Sequence, residues 1–268
     1  MQKDFYSIED LQTIMQALRT PETGCPWDLK QTFSSIVSHT LEEAYEVADA
    51  IERQDFAELK YELGDLLFQV IFYSQLGKEQ ALFDFPEVVD GICKKLIRRH
   101  PHVFADAKLA TDAEIKANWE KEKAKERAEK SSNTHNSVLD DVPNNLPALS
   151  RANKLQKRCA SVGFDWPQIN QTIAKVKEEI AELEVEIAAK QQDKAAEELG
   201  DLMFALVNVN RQLKIDPETT LRKANQKFEK RFRQVELLAQ QVYQQNIDEL
   251  TLEQMESLWQ SVKRHQAL

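Results

Sequence analysis

The chain repeats itself, and this duplication limits its fold more than any other feature. Residues 41–68 and 177–204 align without a gap when the sequence is shifted by 136 positions. An EExxE motif stands at 42–46 and again at 178–182, and ELGDLxF follows at equal distance in both copies. Each half also carries a tryptophan in a Gly-containing turn, GCPWD and GFDWP. Repetition of this kind predicts two copies of one structural module.

The composition predicts that each module is helical. Six glycines and eight prolines among 268 residues favour a few long elements over a sandwich or barrel, and the chain has no Gly-rich phosphate or dinucleotide loop. We therefore expect an all-α fold with helices near 40–53 and 56–77, and a second pair separated by a short break at 190–193. One of these helices carries an apolar stripe at 4, 3 and 4 spacing: Val176, Ile180, Leu183 and Ile187. Such short connections make paired helices antiparallel neighbours.

A polar stretch marks the predicted domain boundary. The segment SSNTHNS divides the chain into an N-terminal domain at 1–130, a linker at 131–138 and a C-terminal domain at 139–268. We interpret Trp27 and Trp166 as core anchors at the start of each module.

The charge and cysteine content bound the function classes. A formal net charge of −10 argues against polymeric nucleic acid as a partner. No apolar stretch approaches the roughly 20 residues of a membrane span, and the N-terminal residues lack the apolar region of a signal peptide. Three scattered cysteines (Cys25, Cys93 and Cys159) indicate reduced thiols, so we expect a cytoplasmic protein.

Acidic side chains share one helical strip on each helix of the second pair. Both sets follow the three- and four-residue spacing of a helix: Lys175, Glu179, Glu182 and Glu186; then Lys194, Glu198, Asp201, Ala205 and Asn208. On antiparallel helices the carboxylates converge, and several half-buried carboxylates need a counter-charge. The first copy keeps the corresponding carboxylates as a second candidate metal site: Glu43, Glu46, Glu62 and Asp65.

The donor types favour Mg²⁺, with Mn²⁺ as a substitute. None of the five histidines follows an acidic residue by three positions, which disfavours a di-iron site, and zinc would need Cys or His ligands. Mg²⁺ held by carboxylates keeps open positions for waters and substrate phosphates. The strips therefore predict a phosphate-bearing ligand between antiparallel helices.

These motifs resemble the MazG family of nucleoside triphosphate pyrophosphohydrolases. The similarity runs through GCPWDLKQTF, LEEAYEV, ELGDLLFQVIF, RRHPHVFAD, GFDW and KANQKFEKRF, so it spans nearly the whole chain. The resemblance implies a dimeric all-α enzyme. It would cleave NTPs or dNTPs between the α and β phosphates with Mg²⁺, releasing a monophosphate and pyrophosphate.

The resemblance and the strips together nominate the site residues of the second copy. Glu179 is the candidate to contact the attacking water, and the metal ligands would be Glu179, Glu182, Glu198 and Asp201. The candidate substrate-binding residues are Lys175, Glu178, Lys194, Asn208, Lys227, Arg231 and Trp259. Four of these keep an alternative: a basic helix face for Lys227 and Arg231, a polar network for Asn208, and packing against the bundle for Trp259.

The two copies differ where a triphosphate would bind. At the positions of Lys175, Lys194 and Asn208 the first copy has His39, Glu58 and Phe72, although Lys95 and Arg99 repeat the Lys227–Arg231 spacing. An anion near the phosphates opposes binding. Our hypothesis is that the C-terminal copy is the catalyst and the N-terminal copy is weak, regulatory or structural.

Two non-enzymatic readings compete with this one. A duplicated helical scaffold, or a nucleotide-sensing interaction protein, needs no turnover. A divalent-metal store fits less well with lysines beside the carboxylates. In each case we expect a homodimer, because one module has too few long helices to cover both sides of a metal face.

Overall fold

A computed structural model describes residues 3–130 and 137–265, and every regular element in these ranges is helical. The predicted all-α class is therefore confirmed. The chain divides into two compact units, unit 1 at residues 1–124 and unit 2 at 125–268. Most of the linker expected at 131–138 lies outside the described residues, so that boundary stays a prediction. Within the described ranges no helix has the length and apolarity needed to cross a membrane.

Unit 1 is built around two long helices and shorter ones that pack beside them. The last of its helices continues past residue 124. In chain order they are α1 (Ile8–Leu18), α2 (Pro26–Lys30), α3 (Val37–Glu52), α4 (Phe56–Glu79), α5 (Phe85–Arg99), α6 (Pro101–Phe104) and α7 (Asp112–Lys130).

Unit 2 also contains a pair of long helices with others packed beside it. Between its last two helices the chain forms a π-helical turn at Ala239–Tyr243 and a 3₁₀ turn at Ile247–Glu249. The helices are α8 (Ala148–Ala160), α9 (Ile169–Ala188), α10 (Gln192–Gln212), α11 (Pro217–Leu238) and α12 (Leu252–His265).

The repeated segment forms one helical hairpin in each unit, as the sequence predicts. The α3–α4 and α9–α10 pairs have the most extensive helix packing in their units. Each hairpin turns through a left-handed residue at the same repeat position, Gln54 (φ 59°) and Lys190 (φ 56°). The next amide reaches back in the same way: Asp55 N–H donates to the Ala50 carbonyl at 2.9 Å, and its counterpart in unit 2 closes an equivalent 3.0 Å bond. These are Schellman turns, which end one helix and reverse the chain.

The two apolar cores lie in different places. In unit 1 five buried side chains join α1 to α4: Met15, Ile36, Ile71, Phe72 and Leu76. In unit 2 the buried cluster instead lies between α11, the turns after it and α12: Val235, Ala239, Leu250, Leu258 and Val262.

The interpretation of the two turn tryptophans as core anchors is wrong. Trp27 is 52% exposed and Trp166 is 41% exposed. In unit 2 the backbone of the turn contacts α10 through a hydrogen bond: Gln212 Nε2 donates to the Trp166 carbonyl at 2.9 Å.

Candidate metal and nucleotide site

Three carboxylates of unit 2 meet between α9 and α10. Oxygens of Glu179, Glu182 and Glu198 all lie within 4.8 Å of one another. The first two lie three residues apart on α9, and the antiparallel packing of α10 brings the third opposite them. Three carboxylate oxygens this close together form a donor set that would suit a hard divalent cation.

Glu179 is the most enclosed of the three, and its charge is balanced by a lysine. The residue is 5% exposed. Lys175 Nζ lies 2.7 Å from Glu179 Oε1 and 2.8 Å from Glu178 Oε1. Hydrogen bonds to Glu178 and then Glu179 raise the pKa of Lys175 above its ordinary value. The ammonium group of Lys175, a predicted substrate-binding residue, therefore lies directly beside Glu179.

The facing helix carries a carboxyl group that resists ionisation. Desolvation, followed by the charges of Glu182, Glu179 and Asp201, raises the pKa of Glu198. Asp201 therefore acts on this cluster electrostatically, although its oxygens are not among the three that lie within 4.8 Å. A group of anions that raises the pKa of its own members is stabilised by a divalent cation.

Unit 1 forms a similar cluster with a different electrostatic surrounding. Oxygens of Glu43, Glu62 and Asp65 lie within 4.8 Å of one another. Desolvation and then Asp65 raise the pKa of Glu43. Desolvation raises the pKa of Glu62 too, followed by a hydrogen bond with Glu58. The residue that replaces Lys194 thus adds an acid to the cluster.

The other two exchanged positions also differ in what they contact. His39 Nδ1 lies 3.6 Å from Glu42, and its ring meets Trp27 edge-on at 5.8 Å. Phe72 is 1% exposed and belongs to the unit 1 core. The first copy therefore has no counterpart of the Lys175–Glu179 contact among its described residues.

Asn208 belongs to a polar network, one of the two alternatives predicted for it, but the sequence does not identify the other members of that network. Its Oδ1 accepts a 2.8 Å hydrogen bond from Arg211 Nε, and Arg211 also pairs with Asp165 in the GFDWP turn. Thr172 Oγ1 donates to Gln212 Oε1 at 2.9 Å in the same interior. The available signal was the internal alignment, which pairs three of these residues with core positions of unit 1.

Polar side chains on α8 face the same region. Asn153 and Gln156 are 6% and 8% exposed, and Gln156 Nε2 donates to the Phe204 carbonyl on α10 at 2.8 Å. The contact between α8 and α10 in unit 2 therefore includes a buried, hydrogen-bonded amide group.

The remaining candidate residues lie on α11 and α12. Lys227 is exposed on α11. Trp259 packs against Phe228 with ring centroids 5.4 Å apart and adjoins the apolar cluster of unit 2. The indole is therefore a packing residue with one part open. Unit 1 also has a tryptophan on its last helix, Trp119 of α7, whose ring centroid lies 5.3 Å from that of His100.

Comparisons with known proteins recover the duplication. The sequence model of the MazG nucleotide pyrophosphohydrolase domain matches residues 31–104 and 168–236. Both matches contain a helical hairpin and its carboxylate cluster. The repeat is therefore two copies of that domain in tandem.

Similar proteins extend over the full length. A nucleoside triphosphate pyrophosphohydrolase of Escherichia coli K12 is 52% identical over 263 residues, covering 97% of this chain and 98% of that protein. A nucleoside triphosphate pyrophosphohydrolase/pyrophosphatase of Thermotoga maritima is 39% identical over 256 residues, covering 96% and 95%. The Bacillus subtilis protein YabN is 42% identical over 260 residues, covering 97% of this chain and 52% of its own length.

Proposed function

The chain belongs to the MazG family of nucleotide pyrophosphohydrolases, and on that premise we propose that it hydrolyses nucleoside triphosphates between the α and β phosphates. The products are a nucleoside monophosphate and pyrophosphate. The observation that carries this proposal is the convergence of Glu179, Glu182 and Glu198 between α9 and α10. Clustered carboxylates suit a reaction whose substrate is a polyanion only when a metal ion lies between them.

The donor set fits Mg²⁺ or Mn²⁺. All three clustered ligands are carboxylates, and Asp201 lies close enough to affect the pKa of Glu198. A bound divalent ion would neutralise phosphate charge and lower the pKa of a coordinated water. The four candidate ligands are Glu179, Glu182, Glu198 and Asp201.

The protein's own side chains would position water and substrate. Glu179 has the enclosed position from which a carboxylate can accept the proton of an attacking water. Lys175 contacts that carboxylate. When the substrate binds, the ammonium group can exchange this partner for a phosphate oxygen. Lys194, Lys227 and Arg231 would supply the remaining positive charge, and Trp259 a surface for the base.

We assign catalysis to unit 2. Unit 1 keeps clustered carboxylates but has Glu58 in place of Lys194, and its hydrogen bond raises the pKa of Glu62. A further carboxylate beside the cluster repels a triphosphate. The N-terminal copy would accordingly be weak, regulatory or structural.

We also propose that the chain is a cytoplasmic homodimer. Apolar side chains at three equivalent positions of the hairpins are 37–52% exposed, a pattern of surface that a partner usually covers. The paired residues are Leu63 and Leu199, Leu67 and Met203, and Val70 and Leu206. Three free cysteines are in keeping with a reducing compartment.

Pyrophosphate release from Glu179→Ala and Glu43→Ala proteins tests both the activity and its assignment. With mixed NTPs and Mg²⁺ we expect Glu179→Ala to lose at least about 100-fold in kcat/KM, because one catalytic carboxylate is worth roughly 10²–10⁴. The matched variant Glu43→Ala, with the same substitution at the repeat-equivalent position, should stay within about threefold.

Two results would contradict the proposal at different levels. Absence of EDTA-sensitive turnover with every base would remove the enzymatic function and favour the scaffold. Equal losses in both variants would leave the function intact and remove its assignment to unit 2.

A further inference from the structure

Buried polar side chains are linked by hydrogen bonds beside the carboxylates of unit 2. Thr172 on α9 is 1% exposed and Asn208 on α10 is 5% exposed. Thr172 Oγ1 donates to Gln212 Oε1, and Arg211 Nε donates to Asn208 Oδ1. The distances are 2.9 and 2.8 Å, those of ordinary hydrogen bonds.

The GFDWP turn anchors this network from outside the helices. Arg211 Nη2 pairs with Asp165, and Gln212 Nε2 donates to the Trp166 carbonyl at 2.9 Å. Burial raises the pKa of Asp165, but the hydrogen bond and charge of Arg211 outweigh burial and leave the pKa below its ordinary value. The guanidinium is therefore held in place by a carboxylate that stays ionised at neutral pH.

The fold does not require this polarity. At the repeat-equivalent positions of Thr172, Asn208 and Gln212, unit 1 has Ile36, Phe72 and Leu76, which are 1–2% exposed and form one apolar cluster. Arg211 corresponds to Gln75, and where the GFDWP turn has Asp165 the GCPWD turn has Pro26. Unit 1 thus fills the three buried positions with apolar side chains, so the hairpin itself does not account for the polar residues of unit 2.

The chemistry of arginine fixes how the Asn208 amide is turned. A guanidinium can only donate, so the oxygen of the amide must face Arg211. The Nδ2 group then points away from it, and no acceptor contacts Nδ2 within 3–130 or 137–265. Asn208 lies on the same strip of α10 as Glu198 and Asp201, about two turns beyond Asp201 and nearly three beyond Glu198. The two N–H donors of its amide group are thereby left for a ligand on the side of α10 that carries these carboxylates.

We infer that Arg211, braced by Asp165, is a positioning residue that orients Asn208 Nδ2 toward an oxygen atom of the bound nucleotide. This inference rests on the proposed function, because the acceptor is a ribose hydroxyl or phosphate oxygen of the substrate. Arg211 itself contacts no substrate atom. Its effect on the reaction passes entirely through the orientation of the Asn208 amide.

A double-mutant cycle with Asn208→Ala and Arg211→Met tests this dependence. We expect each single variant to raise KM by about tenfold, the effect of one lost hydrogen bond, with kcat within about threefold. The double variant should show the same tenfold rise and no more. Running the cycle with ATP, 2′-deoxy-ATP and 3′-deoxy-ATP identifies the acceptor, because loss of a contacted hydroxyl makes the substrate insensitive to Asn208→Ala.

Arg211→Lys separates positioning from stability. A lysine can keep the ion pair with Asp165 and hence the Tm, but a single ammonium cannot also reproduce the Nε hydrogen bond. We therefore expect an unchanged Tm with a raised KM. Arg19→Met is the matched control: Arg19 is a buried arginine of unit 1 that contacts Glu79 at 2.7 Å, and its loss should lower the Tm without raising KM.

The outcomes distinguish this inference from the proposed function. Additive effects, with KM raised about 100-fold in the double variant, would overturn the positioning role, as would an unchanged KM in Arg211→Lys. The same cycle read as calorimetric Kd values for a non-hydrolysable α,β-methylene ATP does not depend on turnover. If the wild-type protein bound this analogue but did not hydrolyse ATP, the result would contradict the proposed function and not the positioning role of Arg211.

Discussion

The two units share the same helical hairpin, but the side chains at three equivalent positions are apolar in unit 1 and polar in unit 2. In unit 1 the positions beside the hairpin hold Ile36, Phe72 and Leu76, all nearly inaccessible to solvent. In unit 2 the same positions hold a threonine and two amides: Thr172 donates to Gln212, Gln212 donates to the Trp166 carbonyl, and Asn208 accepts from Arg211. The apolar cluster of unit 2 lies instead between α11 and α12. Since both arrangements close the hairpin, the polar residues of unit 2 are not a requirement of the shared fold.

In each unit a largely shielded arginine pairs with a carboxylate: the side chain of Arg19 is 6% exposed and that of Arg211 is 11% exposed. Arg19 joins α1 to Glu79 on α4 and lies 5.3 Å from the centre of the Phe72 ring. Arg211 joins α10 to Asp165 and bonds to Asn208 instead. An arginine–carboxylate pair therefore lies against the apolar core in unit 1 and bonds to an amide side chain in unit 2.

The largest effect is expected when the core of unit 1 is emptied. Phe72→Ala should lower the free energy of unfolding of unit 1 by about 3–5 kcal/mol, because it removes a fully buried ring. Asn208→Ala should cost unit 2 only about 1 kcal/mol, the value of a net hydrogen bond. Hydrogen exchange read by mass spectrometry measures the two units separately. Equal losses would show that the polar interior is as important to stability as the apolar one.

The next effect concerns the exchanged charge beside the carboxylates. Lys194→Glu should lower kcat/KM by about 100-fold, since it removes a cation and adds an anion near the phosphates. Lys177→Glu makes the same charge change at an exposed position of α9 and should stay within threefold. A loss of similar size in both proteins would indicate a general field effect and would refute a specific contact at Lys194.

The smallest effect is a matched pH dependence of stability. Asp165 and Glu79 both have a lowered pKa in the folded chain: burial opposes ionisation, and the paired arginines outweigh it. Each pair therefore stabilises its unit above the unfolded pKa of about 4 and loses that contribution as the pH falls through the lower folded value. The carboxylates are about 30% exposed, so we expect only about 1 kcal/mol per pair.

Amide variants check this prediction and return to the comparison. Asp165→Asn and Glu79→Gln should each flatten the stability profile between pH 6 and 3 in urea unfolding, because neither amide titrates. Only Asp165→Asn should also raise KM. If Glu79→Gln raised KM as well, unit 1 would share in substrate binding and the two units would no longer be functionally distinct.

The sequence predicted the elements better than their interiors. The hairpins and the convergence of Glu179, Glu182 and Glu198 followed from helical spacing and a short connection, which are local properties. The predicted helix ends differ from the observed ends by a few residues. The family was predicted from the resemblance of the motifs, and the comparisons with known proteins confirm it.

The missed features depend on tertiary contacts. Arg211 and Thr172 have no motif around them, and their partners lie 46 and 40 positions away. Trp27 and Trp166 are predicted as core anchors, yet both are partly exposed, and in the unit 2 turn the backbone carbonyl makes the contact. The residue-by-residue differences between the two copies were the better guide.

The Schellman turns at Gln54 and Lys190 have an evolutionary consequence. Each turn fixes the number of residues between the acidic motifs of its two helices, 19 positions from Glu43 to Glu62 and 19 from Glu179 to Glu198. One inserted or deleted residue within that span would rotate the second helix by about 100° relative to the first and scatter the cluster. The duplicated gene could therefore diverge at this hairpin through substitutions but not through changes in length.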